Sequence, residues 1–295
     1  MGNDAKGFAV VFVAQQVLNG LSFGALLFLL ASGFTLVFGL MRIVNLAHGS
    51  FYMVGAYVGV ATMAATSNLL VAIIVGAVAV GALAFITETT LLRRTRGQDM
   101  PEVLLTVGIS FVVADLSLAF FGGDPKTLAT PTWLVGSTDL GPFPYPTYRL
   151  FVIGITVLVG IGLWLMQSYT RTGAIVRAGV DDREIVSAMG INVQRVFTAM
   201  FIFGGALAGM AGVVGAGILS VRPGVDTDVL LYALVVVIIG GLGSIKGAAV
   251  GSVLIGLVDA FSKAYIPDLA YFTMFAPMAL VLVIRPTGLF GRATT

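Results

Sequence analysis

The chain has 295 residues, of which 58% are hydrophobic and 10% charged, and its formal net charge is +2. Soluble domains carry about 45–50% apolar and about 25% charged residues, so this composition belongs in a bilayer and argues against a soluble enzyme or a partner made of nucleic acid. Cysteine is absent and histidine occurs once, which excludes a disulfide framework and leaves too few ligands for a metal shell, so no metal or cofactor is expected.

The opening "MGNDAKG" lacks a strongly basic region and a small-residue cleavage site, and is read as leading into a retained first span. Apolar segments follow at 8–38, 50–66, 69–92, 102–121, 149–168, 196–220, 228–242, 246–262 and 269–285. The first is long enough to tilt, break or re-enter, and 228–242 is too short for an ordinary span. The pattern predicts an all-α polytopic membrane bundle with about eight spans plus broken or re-entrant segments, forming one transmembrane domain over 1–295. Arginines at 93, 94 and 96, at 171, 177, 183 and 195, and at 285 and 292 mark cytoplasmic ends. The Pro- and Gly-rich stretch 122–148 reads as an external loop with little regular structure. Whether 8–66 crosses the membrane in two or three passes is left open by the pattern. Gly20 with Gly24, Gly55 with Gly59, Gly205 with Gly209 and Gly247 with Gly251 each place small residues one turn apart, as close helix contacts within one subunit require.

Two glycine-broken stretches stand out, "GLMRIVNLAHGSFYMVGAYV" at 39–58 and "GGLGSIKGAAVGSVLIGLV" at 240–258. Interrupted segments in two halves point to a translocation pathway and make an internal inverted repeat one reading of the chain, on slight residue-level similarity. If 40–49 is helical, Arg42, Asn45 and His48 share one face. That stripe either lines a pathway, or places Arg42 at the headgroups while Asn45 and His48 cap broken helix ends. Gly240, Gly241 and Gly243 are the matching pathway candidates in the second stretch. Asp115 lies inside an apolar segment and is a further candidate, because intramembrane carboxylates are costly and often functional. Glu88 is expected to pair with Arg93, and Asp259 with Lys263.

The segment 169–197 has the pattern of a soluble helix. Asp181 with Glu184 forms a capping-box-like start, Ile185, Val186 and Met189 fall on one face, and Gly190 stops the helix before Asn192 caps the next. Such a helix, without a core of its own, fits a groove in another protein or lies flat on the membrane.

Four motifs in order, "GLMRIVNLAHGSFYMVGAYV", "SAMGINVQRV", "GGLGSIKGAAVGSVLIGLVDAF" and "RPTGLFGR", resemble the LivH-type permease subunits of bacterial ABC importers for branched-chain amino acids. The resemblance covers residues 15 to 292. It implies a multi-pass protein of the bacterial inner membrane, embedded in lipid. It further implies partnership with a second homologous permease, two cytosolic ATPases and a periplasmic substrate-binding protein. Within it, Asp182 to Asn192 corresponds to the segment that couples to the ATPase, including Asp182, Glu184, Ile185, Val186, Ala188, Met189 and Gly190. Gly190 matches the family, Val186 stands where alanine is common, and Ser50 replaces an acidic residue common after the His-Gly pair. The cargo implied is a branched-chain or other small hydrophobic amino acid, with urea, short amides or aromatic acids as alternatives in the same importer class. No Gly-Lys-Ser/Thr phosphate loop occurs, so the chain itself is not expected to hydrolyse ATP or to do bond chemistry. A secondary transporter or channel independent of ATPases is one rival, and would rest on Asp115 alone; an intramembrane enzyme is a second, and the spans offer it no Ser-His or Asp-Asp constellation at plausible spacing.

Overall fold

The computed structural model describes residues 2–41, 44–181 and 183–291. Helix α1 (Gly2–Met41) runs unbroken for 40 residues. No proline interrupts it, and Ser32 returns its hydroxyl to the Leu29 carbonyl at 2.8 Å instead of opening the helix. The first apolar segment therefore neither breaks nor re-enters. Helix α2 (His48–Thr66) follows after a break and is joined to α3 (Leu69–Ile86) by a tight turn. There Ser67 takes a left-handed φ of 51°, and Asn68 Oδ1 accepts from the Leu70 and Val71 amides at 3.0 and 3.3 Å, a side-chain cap for the donors left open at a helix start.

Helix α3 passes into a π turn (Thr87–Leu92) and ends over Arg93–Thr95. Next come α4 (Asp99–Phe121), a loop, and α5 (Thr147–Tyr169). The loop holds one small antiparallel pair, β1 (Ser137–Asp139) with β2 (Pro144–Pro146), in which Thr138 faces Tyr145. Its regular structure is otherwise slight, as its composition predicts. Two short helices, α6 (Arg171–Asp181) and α7 (Arg183–Ala188), lead to α8 (Val193–Gly215). Then come α9 (Val225–Gly240), α10 (Ile245–Tyr265) and, after a turn, α11 (Phe275–Ile284).

Glycine decides which helices touch, because lipid supplies no hydrophobic drive between them and backbone proximity must do so. A Cβ at Gly24 would lie 2.7 Å from the Ser252 carbonyl oxygen, and one at Gly20 would lie 2.8 Å from Leu257 Cα. The Gly20 and Gly24 pair thus seats α1 on α10, running antiparallel. Gly55 lies on Gly209 and Gly59 on Val213, so α2 and α8 run parallel. Gly205 meets Ala84 of α3, and Gly247 meets Gly240 across the α9–α10 turn. All four glycine spacings serve contacts within the chain.

Burial grades outward from this centre. The apolar window of α1 is 89% buried and that of α8 61%, against 17% for α4 and α5 and 11% for the last span. Phe111, Phe120, Leu158 and Val283 accordingly face outward. Among the described residues seven helices are long and apolar enough to cross a bilayer. Two more, α2 and α9, pack among them, α2 antiparallel to α1 and α9 antiparallel to α10. The ends bearing Arg93, Arg94, Arg96, Arg171, Arg177, Arg195 and Arg285 fall on one side, which is the cytoplasmic one. On that count 8–66 makes two passes, and α1 starts outside. At the outer end Asn19 Oδ1 accepts from Arg149 Nη1 at 2.6 Å and from Tyr145 Oη at 3.3 Å. Burial raises the Tyr145 phenol above its usual range, and Arg149 opposes the shift.

Candidate functional site

Residues 44–47 are not helical, so the continuous polar stripe expected over 40–49 does not form, and Arg42 lies outside the described residues. Asn45 is the physical cause of the break. Its Oδ1 accepts from the Ala47 amide at 3.1 Å, and its carbonyl accepts from the His48 amide at 3.2 Å, a local turn that competes with helix propagation. The other end of the side chain, Nδ2, is buried and has no partner among the described residues, and the residue is only 4% exposed. Asn45 lines a small hollow with Val37, Met41, Leu92, Thr106 and Phe201. Thr106 Oγ1 accepts from the Leu46 amide at 3.2 Å, which ties the break to α4.

His48 opens α2 and is 1% exposed. Its Nε2 lies 3.1 Å from the Leu30 carbonyl and its ring meets Phe34 edge-on at 5.4 Å. A carbonyl only accepts, so the proton sits on Nε2 and the unpartnered Nδ1 is an acceptor. His48 thus pins the start of α2 against α1.

One residue pair absent from the sequence reading lies beside this break. Ser50 Oγ donates to Asp226 Oδ2 at 3.2 Å and lies 3.5 Å from the Ser110 carbonyl. Asp226 sits in the first turn of α9 and is 7% exposed. The helix start favours a carboxylate there. Gly49 permits the approach, since a Cβ there would collide with the Asp226 carbonyl. The available signal was "RPGVDTDV", with two carboxylates after a Pro-Gly turn: Asp228 pairs with Arg222 at 3.1 Å at the surface, and among the described residues no cation pairs with Asp226.

The structure does not bring Asp115 to this place. The buried positions of α4 are Glu102, Thr106, Ile109, Val113 and Ser117, and Asp115 is on the exposed side. Gly240, Gly241 and Gly243 form the turn between α9 and α10. Gly243, at φ +81°, would place a Cβ 3.1 Å from Gly39 Cα, so the two glycine-broken stretches do meet. The "RPTGLFGR" ending closes this turn, because the Leu289 and Phe290 amides donate to the Ile239 and Gly240 carbonyls at 2.9 and 3.0 Å. Those carbonyls would otherwise be orphans at the end of α9.

On the cytoplasmic side, Asp182 lies outside the described residues, as do the side chains of Asp181, Glu184 and Ile185, so the expected capping pair falls outside them too. Helix α7 ends at Ala188, and Gly190 takes a φ of +79° with open space around it. Val186 is 2% exposed and Met189 72%. The two do not share a face, because Met189 stands past the helix on the turn. Asn192 Oδ1 accepts from the Arg195 amide at 3.1 Å and caps α8 as expected. The partner of Glu88 is Arg96, where Arg93 was expected. Glu88 is fully buried in the π turn and also accepts from Gln194 Nε2 at 3.2 Å and Thr198 Oγ1 at 2.7 Å. Arg96 lies over the Phe197 ring at 5.0 Å. Arg93 remains exposed. The base of α8 is thereby fastened to the turn after α3. The outer pair is as expected, with Lys263 Nζ 2.7 Å from Asp259 Oδ2. Among the described residues no three His, Asp or Glu side chains converge as a metal site.

A glycine-packed helical bundle with a polar break at its centre and a helical loop on its basic side is the architecture of a multi-pass membrane permease. Residues 16–283 match the family described as branched-chain amino acid transport system / permease component, and the chain belongs to that family. It is 31% identical to the high-affinity branched-chain amino acid transport system permease protein LivH of Salmonella typhimurium, with 96% of each chain covered. BraD of Pseudomonas aeruginosa, a permease of the same description, is 31% identical over 94% of this chain and 95% of its own. The ribose import permease RbsC of Escherichia coli K12 is 25% identical over 84% of this chain and 78% of its own. The chain is an ABC-transport permease and a multi-pass protein of the bacterial inner membrane.

Proposed function

We propose that this chain forms half of the translocation pathway of an ABC importer for branched-chain or other small hydrophobic amino acids. A second, homologous permease completes the pathway, two cytosolic ATPases drive it, and a periplasmic binding protein delivers the cargo. The segment Asp182 to Gly190, with Ala188 and Met189, seats in the ATPase, and the break carrying Asn45 and His48 lines the route together with the Gly240–Gly243 turn. ATP-driven closure of the ATPases moves α7, and α8 carries that displacement into the bundle through the Glu88, Arg96, Gln194 and Thr198 contacts. The chain contributes shape and polar contacts to transport, and hydrolysis belongs to its partners.

One observation carries the coupling role. The turn after α7 leaves Met189 exposed at the cytoplasmic side, and among the described residues no atom lies within 4 Å of a Cβ placed at Gly190. The φ of +79° strains any non-glycine residue at Gly190, so a bulky side chain is compared there with a small one that tolerates the left-handed conformation, and the difference in coupling reports a partner. In the complete importer reconstituted in vesicles, Gly190→Trp is expected to leave the complex inserted while separating ATP hydrolysis from uptake. Gly190→Asn, which tolerates the left-handed conformation, is expected to retain coupling. Wild-type coupling in the Gly190→Trp complex would remove the segment from this role.

A further inference from the structure

Asp226 stands apart from the other paired acids of the interior. Glu88 is neutralised by Arg96 and Asp259 by Lys263, whereas no cationic side chain among the described residues pairs with Asp226. The nearest arginine in sequence, Arg222, is taken by Asp228. Ser50, the hydroxyl donor to Asp226, also lies against the Ser110 carbonyl, halfway along α4 between Asp99 and Phe121. The carboxylate is therefore near mid-depth in the bundle, where an unpaired charge is costly and marks a route for a complementary one.

Two unpartnered polar groups flank it. The Tyr57 hydroxyl has no hydrogen-bond partner among the described residues, its ring is stacked on Phe121 at 4.6 Å, and it stands on the Ser50 face of α2, two turns further along. Toward the cytoplasm, one turn along α4 from Ser110, Thr106 meets the break whose Asn45 Nδ2 is also unpartnered and lines the hollow. Tyr57, Ser50, Thr106 and Asn45, with Asp226 of α9, thus form a polar lane along the α2–α4 seam, and Val37, Met41, Leu92 and Phe201 complete the hollow at its Asn45 end.

We infer that Asp226 is the cation-selective station of this lane and holds the ammonium group of an amino acid midway across the membrane, assisted by Ser50 and Tyr57. The inference rests on the amino-acid reading above. The Asp226 carboxylate suits the ammonium end of a zwitterion.

The test uses the complete importer in vesicles with its binding protein and radiolabelled L-leucine. The wild-type complex fixes the frame: ATP-dependent leucine uptake supports the amino-acid reading, and its absence overturns that reading and this inference with it. Given uptake, Asp226→Asn is expected to lower it about ten-fold, as loss of one charge-assisted contact should. Hydrolysis stimulated by the binding protein should persist, because α7 is untouched. Asp226→Glu should restore part of the uptake. Uptake by Asp226→Asn within about two-fold of wild type, a difference too small for a lost charge contact, overturns the inference. Should Asp226→Asn fail to assemble, Tyr57→Phe decides, since it keeps the ring stack and removes only the hydroxyl. A several-fold fall in its uptake with hydrolysis intact supports the station, and unchanged uptake overturns it.

Discussion

Glu88 illustrates how single polar side chains are placed in this protein. The sequence offers three nearby arginines, and helical spacing favours Arg93. The structure selects Arg96, because the π turn and the bend at Gly97, with its φ of +83°, swing Arg96 back under the bundle and leave Arg93 outside. Removing the acid leaves the Arg96 guanidinium without its counter-charge and Gln194 Nε2 without its acceptor. Glu88→Ala should therefore destabilise the solubilised protein by about 3 kcal/mol, the cost typical of breaking a buried pair from one side. Arg93→Ala should change stability by less than about 0.5 kcal/mol, as surface substitutions do. Thermal unfolding of the two variants in detergent checks the contrast, and equal midpoints would discard the hub. At the break, Asn45→Leu together with His48→Leu should slow transport without altering the affinity of the complex for its binding protein. Equal transport rates would leave both residues with a purely structural part. The polar character of Asn45 and His48 was legible from the sequence. The contact of Ser50 with Asp226 was not, because the two are 176 positions apart and no periodic pattern links them.

At the scale of elements, glycine spacing was readable and glycine pairing was not. A small-residue pair one turn apart announces a close contact, yet it describes only one side of it. That Gly20 and Gly24 receive α10, and Gly55 receives α8, follows from where the loops allow each helix to return. The glycines also separate by what surrounds them. A Cβ at Gly24 points at the Ser252 carbonyl oxygen, 2.7 Å away, while one at Gly108 of α4 meets nothing within 4 Å. Backbone cannot yield as a side-chain tip can, so Gly24→Ala should push α1 from α10 and lower the yield of folded protein. Gly108→Ala should be neutral or slightly stabilising, in line with the roughly 0.5–1 kcal/mol advantage of alanine in a helix. Size-exclusion recovery after solubilisation distinguishes the two, and equal recovery would show that the α1–α10 contact is loose. The break at 44–47 shows the limit of periodicity: between the apolar segments 8–38 and 50–66 the pattern allows a helix, while the Asn45 turn redirects the backbone.

For the whole molecule, the burial gradient and the charge asymmetry together fix an orientation. Composition and apolar runs were enough to recognise a polytopic helical bundle. They were not enough to count passes, since α9 has only 16 residues and α2 begins with the polar His48. What resolves the count is packing direction. His48 lies against Leu30, and Tyr52 reaches the level of Leu26, so α2 returns antiparallel to α1; Gly55 on Gly209 then makes α2 parallel to α8. The Thr66–Asn68 turn must lie outside if the Arg-bearing turn after α3 lies inside. The chain contains no cysteine, so each introduced thiol reports alone. Thr66→Cys and Asp139→Cys should react with a membrane-impermeant maleimide applied to spheroplasts. Gln98→Cys should react only after lysis. The three positions are exposed in the fold, so protection reports sidedness and not burial. A Thr66→Cys thiol that is labelled only after lysis, with Gln98→Cys still inside, would require an additional crossing between α1 and α3 and would reverse the direction assigned to α2.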